Sequence, residues 1–337
     1  MQSRTILITG ANAGLGWSLT KKLIQDPSKH KIIMACRSTA KAKDAITTDK
    51  DLSEEQKKNL TPVELNLANL NSIQECCNKL HKDFPEGINI LVNNAGVYAT
   101  GDQNRMETDN QFELHFGTNH LGHFSLTLCV LDLLRKGAMY SNSDSRIINV
   151  SSSLYAKAKI DFNDLQLKQN KPKTYNPELA YANSKLSGLY FAKILSERLQ
   201  KDRTGQPGAG RIKIYSCCPG MCHTNLARYY VTNSWRSFLW WIAGKVILRT
   251  PEQGIKAMLE CIEKPTSELK NGGFYKNGIT KRSGNDAIKD ESSSMTELYK
   301  DEEIAKKIWD KSEELTGVNL EADCNVTVSG PTNAMMF

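Results

Sequence analysis

Tyr181 and Lys185 stand four residues apart in Tyr181-Ala182-Asn183-Ser184-Lys185, inside a stretch that reads as helix, so their side chains share one helix face. A tyrosine hydroxyl titrates near ~10 in model peptides and is a poor proton shuttle at neutral pH unless a nearby cation stabilises the phenolate. Lys185 is placed to be that cation. A charge ~4 Å away at an effective dielectric of ~20 contributes up to ~4 kcal/mol, or roughly three pKa units before screening and desolvation reduce it. The pair then suits general acid chemistry. The plainer alternative is a surface Tyr and Lys on an amphipathic helix, and the rest of the chain decides between the two.

Far upstream, the apolar run Arg4-Thr5-Ile6-Leu7-Ile8 leads directly into Thr9-Gly10-Ala11-Asn12-Ala13-Gly14-Leu15-Gly16 and then into the helical pattern Leu19, Leu23, Ile24. Gly10 permits a tight turn, Gly14 lets backbone come close to a ligand, and Gly16 allows the helix to pack on its strand. Free N–H groups at the helix start then face an anion such as a pyrophosphate. Asn12 and Leu15, within the same loop, join the three glycines as cofactor-binding candidates.

The next strand-like run, Lys31 to Cys36, ends twenty residues after Gly16, where an NAD site would place an acid for the ribose hydroxyls. Cys36 fills that position and Arg37 follows, with Lys41 and Lys43 close behind. A carboxylate repels a 2′-phosphate, whereas a guanidinium pairs with it in a bidentate fork. NADP(H) is therefore the expected cofactor, the alternative being an Arg37 that points into solvent.

With these residues in view, the chain resembles a short-chain dehydrogenase/reductase. The motifs that carry the resemblance run in order: Thr9 to Gly16, Asn93-Asn94-Ala95-Gly96, Asn119, the Ser151-Ser152 pair after a strand, Tyr181 with Lys185, and Pro219-Gly220 through Thr224. They span residues 1 to about 265. Within the family, Thr118-Asn119-His120-Leu121-Gly122-His123-Phe124, Ala35-Cys36-Arg37 and Asp161 to Leu165 most resemble the retinol dehydrogenase group. Parts of the same signature are also similar to protochlorophyllide reductases and microsomal keto-steroid reductases.

The resemblance implies a role for each residue. Ser152 hydrogen-bonds the substrate oxygen, Tyr181 exchanges a proton with it, Lys185 holds the nicotinamide ribose and lowers the tyrosine pKa, and Asn119 supports a water that refills the proton. Ser152 is preferred to Ser151 and Ser153 because it stands two residues past Val150, where the family's serine falls. Asn94, Ala95 and Gly96 line the adenosine side, Thr224 binds the carboxamide, and Pro219 and Gly220 shape the turn before it. Two departures stand out. Asn66, followed by Leu67, replaces the aspartate that usually receives the adenine amino group, although an amide oxygen still accepts. The interval between Ser152 and Tyr181 is longer than is common in the family, and its extra segment, Lys157 to Pro177, reads as a polar, basic surface loop near the pocket mouth.

These residues need a scaffold. Strand-like runs at 4–9, 31–36, 62–66, 88–93, 146–151, 211–217 and 273–276 alternate with helical stretches at 15–25, 39–48, 70–83, 109–135, 179–201, 252–263 and 301–316. That alternation predicts βα units around a parallel sheet with right-handed crossovers and a ligand beyond the strand C-termini. The fold class expected is α/β: one doubly wound Rossmann-type domain over 1–316, a lid at about 219–251 after the sixth strand, and a C-terminal tail, 317–337, expected to be mobile. Asp49 to Asn59 reads as a charged insertion.

Nine cysteines, an odd number, include the adjacent pairs Cys76-Cys77 and Cys217-Cys218 and no Cys-x-x-Cys, which fits neither a disulfide framework nor a metal site and favours a reducing compartment. His115, His120 and His123 share helical spacing without a nearby cysteine; packing explains them better than metal. The first strand begins almost at Met1, leaving no room for a signal peptide, so a cytoplasmic location is expected. The net charge of +7 is spread along the chain without a nucleic-acid motif.

From Pro219 to Pro251 there is no Asp or Glu, while Arg228, Arg236, Lys245 and Arg249 accompany Tyr229, Tyr230, Trp235, Phe238, Leu239, Trp240, Trp241 and Ile242. In the family this segment covers the substrate, and an apolar lid implies an apolar substrate. Three settings suit residues 228–248: the protein's own pocket, a homodimer partner, or peripheral contact with an anionic membrane surface. The expectation is an NADP(H)-dependent oxidoreductase that moves hydride between nicotinamide and a carbonyl or alcohol of a lipophilic retinoid, terpenoid or steroid-like substrate, reduction being the favoured direction in cells. The alternative is a non-catalytic NADP(H)-binding module that regulates membrane or partner association.

Overall fold

The computed structural model describes residues 2–98, 104–168, 175–201, 209–222, 248–277, 289–321 and 326–328. The strands are short apolar runs with both faces covered. In β1 (Thr5–Thr9), Leu7 joins one hydrophobic cluster while Ile6 and Ile8 join the other. The same alternation recurs in β2 (Lys31–Cys36), β4 (Ile90–Asn93), β5 (Ser145–Val150) and β6 (Ile212–Cys218), as a parallel sheet packed between two helical layers requires. With β3 (Leu60–Glu64) and β7 (Phe274–Lys276) these make seven parallel strands, and the two-residue β8 (Lys289–Asp290) adds an antiparallel edge. The sheet order is β3-β2-β1-β4-β5-β6-β7-β8, so the chain reverses direction of growth between β1 and β4. Ligands bind such sheets at that switch point.

Helices α1 (Gly14–Ile24) and α2 (Thr39–Thr48) cover one face through Leu19, Leu23, Ala42 and Ile46. The charged stretch 49–59 contains a short third helix, α3 (Glu54–Lys58), opened by a capping box between Ser53 and Gln56. The other face is covered by α4 (Leu70–Asp83), by a continuous helical region with a π-turn at Phe116–Leu121, α5 (Gly122–Cys129) and α6 (Leu131–Tyr140), and by α7 (Pro177–Lys201). Of the stretch expected as one helix over 109–135, residues 109–113 are a turn and an isolated bridge; the helix begins at Leu114, has widened backbone pairing at Phe116–Leu121 and is interrupted at Val130 (φ −102°, ψ 9°). Gly122 explains why the region can sit so close to the sheet edge: a Cβ there would lie 2.4 Å from the Leu67 carbonyl oxygen.

After β6 the chain forms α8 (Pro251–Gly254) and α9 (Lys256–Glu263), and after β8 it forms α10 (Glu297–Lys300) and α11 (Glu302–Thr316). Trp309 of α11 is buried against Phe124 and Phe191, 5.1 and 5.8 Å between ring centroids, with the Arg198 guanidinium 4.3 Å above its ring. Gly317 ends α11 in the left-handed region (φ 68°), and β9 (Val318–Leu320) pairs antiparallel with β10 (Val326–Val328). Val318 and Leu320 join the same core. The expectation of a mobile terminus falls for its last nine residues outside the described residues, as do 223–247 of the expected lid.

Candidate active site

The glycine loop sits where β1 meets α1. Gly10 and Gly14 both have positive φ (66° and 56°), which suits residues without a side chain. A Cβ on Gly16 would lie 2.2 Å from the Gly10 carbonyl oxygen and 2.7 Å from Asn94 Nδ2, so the loop, α1 and the residues after β4 close on one another only because that side chain is missing. The caps differ in a telling way. Helices α2, α4 and α11 have their first N–H groups bound by Ser38, Asn69 and Asp301, whereas Ala13 precedes α1 with no side chain able to cap and no acid in the first turn. Those N–H groups suit an anion, and a dinucleotide pyrophosphate fits this cradle. Asn12 and Leu15 lie half-buried in the same loop.

Across the switch point, Thr9 organises the residues after β4. Its hydroxyl accepts from the backbone N–H of Asn94 (3.0 Å) and Ala95 (2.9 Å), and Asn94 Nδ2 donates to the Thr9 carbonyl at 2.8 Å. The hydroxyl proton goes to His123 Nε2, 3.0 Å away, because His123 Nδ1 donates to the Asn119 carbonyl at 3.1 Å. Burial keeps His123 neutral by pulling its pKa down to about 4. Asn119, in the π-turn, uses its amide fully: Oδ1 accepts from Val97 N–H at 2.8 Å, and Nδ2 donates to the Val97 carbonyl and Ser184 Oγ, each at 3.0 Å. A Cβ on Gly96 would meet Asn119 Oδ1 at 3.3 Å and Lys185 Nζ at 3.7 Å. Asn94, Ala95 and Gly96 are thereby held half-buried next to the loop glycines.

The other catalytic candidates come together at the end of β5. Ser152 lies close enough to the phenol of Tyr181 to draw its pKa down and accepts from Leu154 N–H at 3.3 Å, while the neighbouring Ser151 is buried. Lys185 Nζ donates to the Val150 carbonyl at 2.9 Å and lies 5.6 Å from the Tyr181 ring centroid. Burial pulls Lys185 down to about 8, against a smaller opposing pull from Cys218 and Cys217. Burial also raises Tyr181 above its ordinary value, and the nearby Ser152 pulls it back only in part. The sequence suggests a phenol acidified by Lys185; in the structure desolvation is the larger influence and the phenol keeps its proton. Behind Lys185 lies a cavity of about 20 Å³ lined by Asn93, Asn149, Ser151, Ser184 and His120, among others, large enough for a water and polar enough to hold one.

The end expected to hold the adenosine is plainer. Arg37 is exposed immediately after β2, and Lys41 and Lys43 are exposed on α2. Asn66 Oδ1 accepts from Ala68 N–H at 3.2 Å and its own N–H donates to Ser72 Oγ, so the amide closes a turn that a carboxylate would also close. Leu67 is buried beneath it. Glu64 pairs in register with Cys36 and adds to the burial that raises the thiol, which puts one negative charge near this end.

Pro219 and Gly220 (φ 77°) follow β6, and Thr224 lies outside the described residues. Asn277, which sequence reasoning passed over, clamps this turn: its Nδ2 donates toward the carbonyls of Gly254 (3.0 Å), Gln253 (3.3 Å) and Pro219 (3.4 Å). Cys222 and Arg249 form a parallel bridge, bringing together the two sides of the segment expected as a lid. The three histidines have packing roles. His120 Nε2 meets Ser312 Oγ at 2.7 Å, His123 serves Thr9, and His115 pairs with Glu113 at 2.8 Å. Among the described residues no cluster suited to a metal is found and no helix is long and apolar enough to cross a membrane.

The segment 157–177 differs from the surface loop expected. Leu165, Leu167 and Tyr175 are buried, and Asn183 on α7 holds Lys159 through both its amide atoms, at 2.8 and 2.9 Å. Apolar side chains spaced through a polar stretch anchor it, which composition alone conceals.

Known proteins resemble this chain in sequence and in fold. A family model described as short chain dehydrogenase matches residues 4–162. Human retinol dehydrogenase 14 is 30% identical over 94% of this chain and 88% of its own length, and human retinol dehydrogenase 13 is 32% identical over 94% and 85%. Among solved structures, an uncharacterized protein of Mycobacterium paratuberculosis superposes with a TM-score of 0.68 at 28% identity, covering 94% of each chain. An NADPH-bound carbonyl reductase from chicken fatty liver shares the fold, with a TM-score of 0.57 and 21% identity over 82% of this chain and 97% of that one.

Proposed function

The chain belongs to the short-chain dehydrogenase family, and from that premise we propose that it is an NADP(H)-dependent carbonyl reductase for a lipophilic substrate of retinoid, terpenoid or steroid type. The observation that carries the reading is the convergence on Tyr181 of Ser152, near enough to draw down the pKa of the phenol, and Lys185, whose Nζ lies 5.6 Å from the centroid of its ring.

When bound, the reduced nicotinamide supplies the hydrogen and electron pair. The rest falls to side chains of this protein. A phenol that burial keeps protonated is an acid awaiting a base. Ser152 fixes the carbonyl oxygen beside it, Tyr181 gives up its proton as charge develops on that oxygen, and the phenolate left behind is stabilised by Ser152 and Lys185. With a pKa near 8, Lys185 is a competent proton donor at neutral pH, and the polar cavity behind it is the route of resupply. Asn119 contributes by tying the segment after β4 to α7, through Val97 and Ser184.

The dinucleotide is assigned to Gly10, Asn12, Gly14, Leu15, Gly16, Asn66, Leu67, Asn94, Ala95, Gly96, Tyr181, Lys185, Pro219, Gly220 and Thr224, and its 2′-phosphate to Arg37. Support for NADP(H) is the exposed Arg37, Lys41 and Lys43 with no acid at position 36. Support for a lipophilic substrate is the apolar composition of 219–251 and the retinol dehydrogenases among the relatives. The same aromatic and cationic composition makes 228–248 a candidate for peripheral membrane contact. Loss of sedimentation with anionic liposomes when Trp240 and Trp241 become Ser would support that contact; unchanged sedimentation would rule it out.

The deciding experiment is NADPH oxidation with a panel of retinal, long-chain terpenoid aldehydes and keto-steroids. The expected result is turnover by the natural chain and a loss of about 10²-fold or more in Tyr181→Phe. NADPH binding without turnover on any of them would overturn the enzyme reading in favour of a nucleotide-controlled binding module.

A further inference from the structure

Glu113 and His115 precede the π-turn and are each 1% exposed, and Tyr175, two residues before α7, is 4% exposed. Glu113 accepts four hydrogen bonds: at Oε1 from Tyr175 Oη (2.6 Å), His115 Nδ1 (2.8 Å) and His115 N–H (3.0 Å), and at Oε2 from Phe116 N–H (2.7 Å). Burial alone would raise this carboxyl, yet its donors, led by His115, hold it below the usual range, so it is an anion sealed from solvent. The His115 ring stands edge-on to the Tyr181 ring, 84° between planes and 6.1 Å between centroids. Glu113 N–H also donates to Gln166 Oε1 at 2.8 Å, and Arg105 Nε to the Gln166 carbonyl at 2.8 Å. One carboxylate thus gathers the 105–116 strap, the 157–177 insertion and the start of α7 around the phenol.

A buried charge of this kind is a poor way to gain stability, since apolar packing of similar volume often does as well or better. Its value lies in direction: a carboxylate with four donors admits one arrangement of them. The mechanism above uses none of these three residues.

We propose that Glu113, His115 and Tyr175 form a positioning unit for Tyr181, in which the carboxylate fixes the imidazole edge-on against the phenol and holds Gln166 and Tyr175 of the insertion beside it. The inference rests on the reading of Tyr181 as the proton donor. The unit acts on the orientation of the phenol and leaves the dinucleotide cradle, built from β1, α1 and β4, untouched.

Tyr175→Phe removes one hydrogen bond and keeps the shape; Glu113→Gln removes the charge. Both variants are to be compared with the natural chain for kcat, KM, NADPH affinity and the 13Cζ tyrosine NMR signal of Tyr181, identified by its loss in Tyr181→Phe. The expected result is a fall in kcat of about tenfold to a hundredfold, as displacement of a reacting group produces, with NADPH affinity unchanged and the Tyr181 signal shifted. A folded Tyr175→Phe with natural kcat and an unmoved Tyr181 signal would overturn the proposal, and so would a loss of turnover that follows equal loss of NADPH affinity. Should Glu113→Gln fail to fold, Tyr175→Phe carries the test. Absence of turnover in the natural chain would defeat the enzyme reading instead, and the NMR comparison with NADPH bound would still decide whether the unit positions Tyr181.

Discussion

Lys185 on α7 donates from Nζ to the carbonyl of Val150, the last residue of β5, at 2.9 Å. The same strand end continues into Ser151 and Ser152, so one bond sets the spacing between the cation and the serine that meets Tyr181. Burial holds this lysine at about 8 in the folded protein, against 10.5 for the ordinary side chain. Between those values the unfolded chain binds the extra proton, so this group's contribution to stability rises with pH across the window 8 to 10.5. Lys185→Met should abolish that rise in urea unfolding measured at successive pH values, and should cost about 10²-fold or more in turnover. A variant that keeps the natural pH dependence would show that Lys185 is not the buried cation.

Two histidines work in the opposite part of the pH scale. Burial lowers His120 to about 3 and His123 to about 4, from 6.5. As pH falls from 6.5 toward 4 the unfolded chain takes up protons that the folded one refuses, so stability falls by about 1.4 kcal/mol per pH unit for each histidine. His120→Asn should reduce the acid-limb slope of stability by about one proton. An unchanged slope would mean that His120 is protonated in the fold.

The glycine at the head of α1 gives a steric prediction. Gly16→Ala places a carbon 2.2 Å from the Gly10 oxygen, forcing the helix start away from its strand. Overpacking of this kind costs about 1–3 kcal/mol, and the displaced N–H groups should also weaken NADPH binding. Thermal melts and a fluorescence titration check both effects; natural behaviour in both would show that the loop tolerates a side chain.

Cofactor choice should turn on Arg37. Removing a charged partner of a phosphate costs about 1.5–3 kcal/mol, so Arg37→Ala is expected to weaken NADPH by more than tenfold while leaving NADH nearly unaffected. Glu64, in register with Cys36, opposes the phosphate, and Glu64→Gln should shift preference modestly toward NADPH. Equal losses for both nucleotides in Arg37→Ala would disprove the assignment.

Much of this arrangement was legible in the chain because its signals are local. Seven parallel strands lie within two residues or so of the runs that predict them, since all but the edge strand β3, where Thr61 and Glu64 are exposed, are covered on both faces. The glycine loop, Tyr181 and Lys185 announce themselves by spacing, and Ser152 by the resemblance to the family. What was hidden depends on contacts distant in sequence. Asn277 reaches back to Pro219, Thr9 meets His123, and Glu113 meets Tyr175 sixty-two positions on; no pattern of neighbours marks such pairs. Strands of two or three residues, as in β8, β9 and β10, are too short to show alternation. The break of the 109–135 helix into a π-turn and two helices follows from where Gly117 and Gly122 let the backbone approach Thr108 and Leu67, which is tertiary information. Desolvation of Tyr181 is likewise a property of the folded surroundings.

The bond between His120 and Ser312 joins the residue beside Asn119 to α11, whose Trp309 fills the space between Phe124 and Phe191. A premature stop codon between residues 225 and 309 would leave every residue of the assigned site encoded, yet remove the wedge under the helix that carries Asn119. Truncations within that interval, judged by the motifs they retain, would therefore be scored as intact while making a chain with a hollow flank.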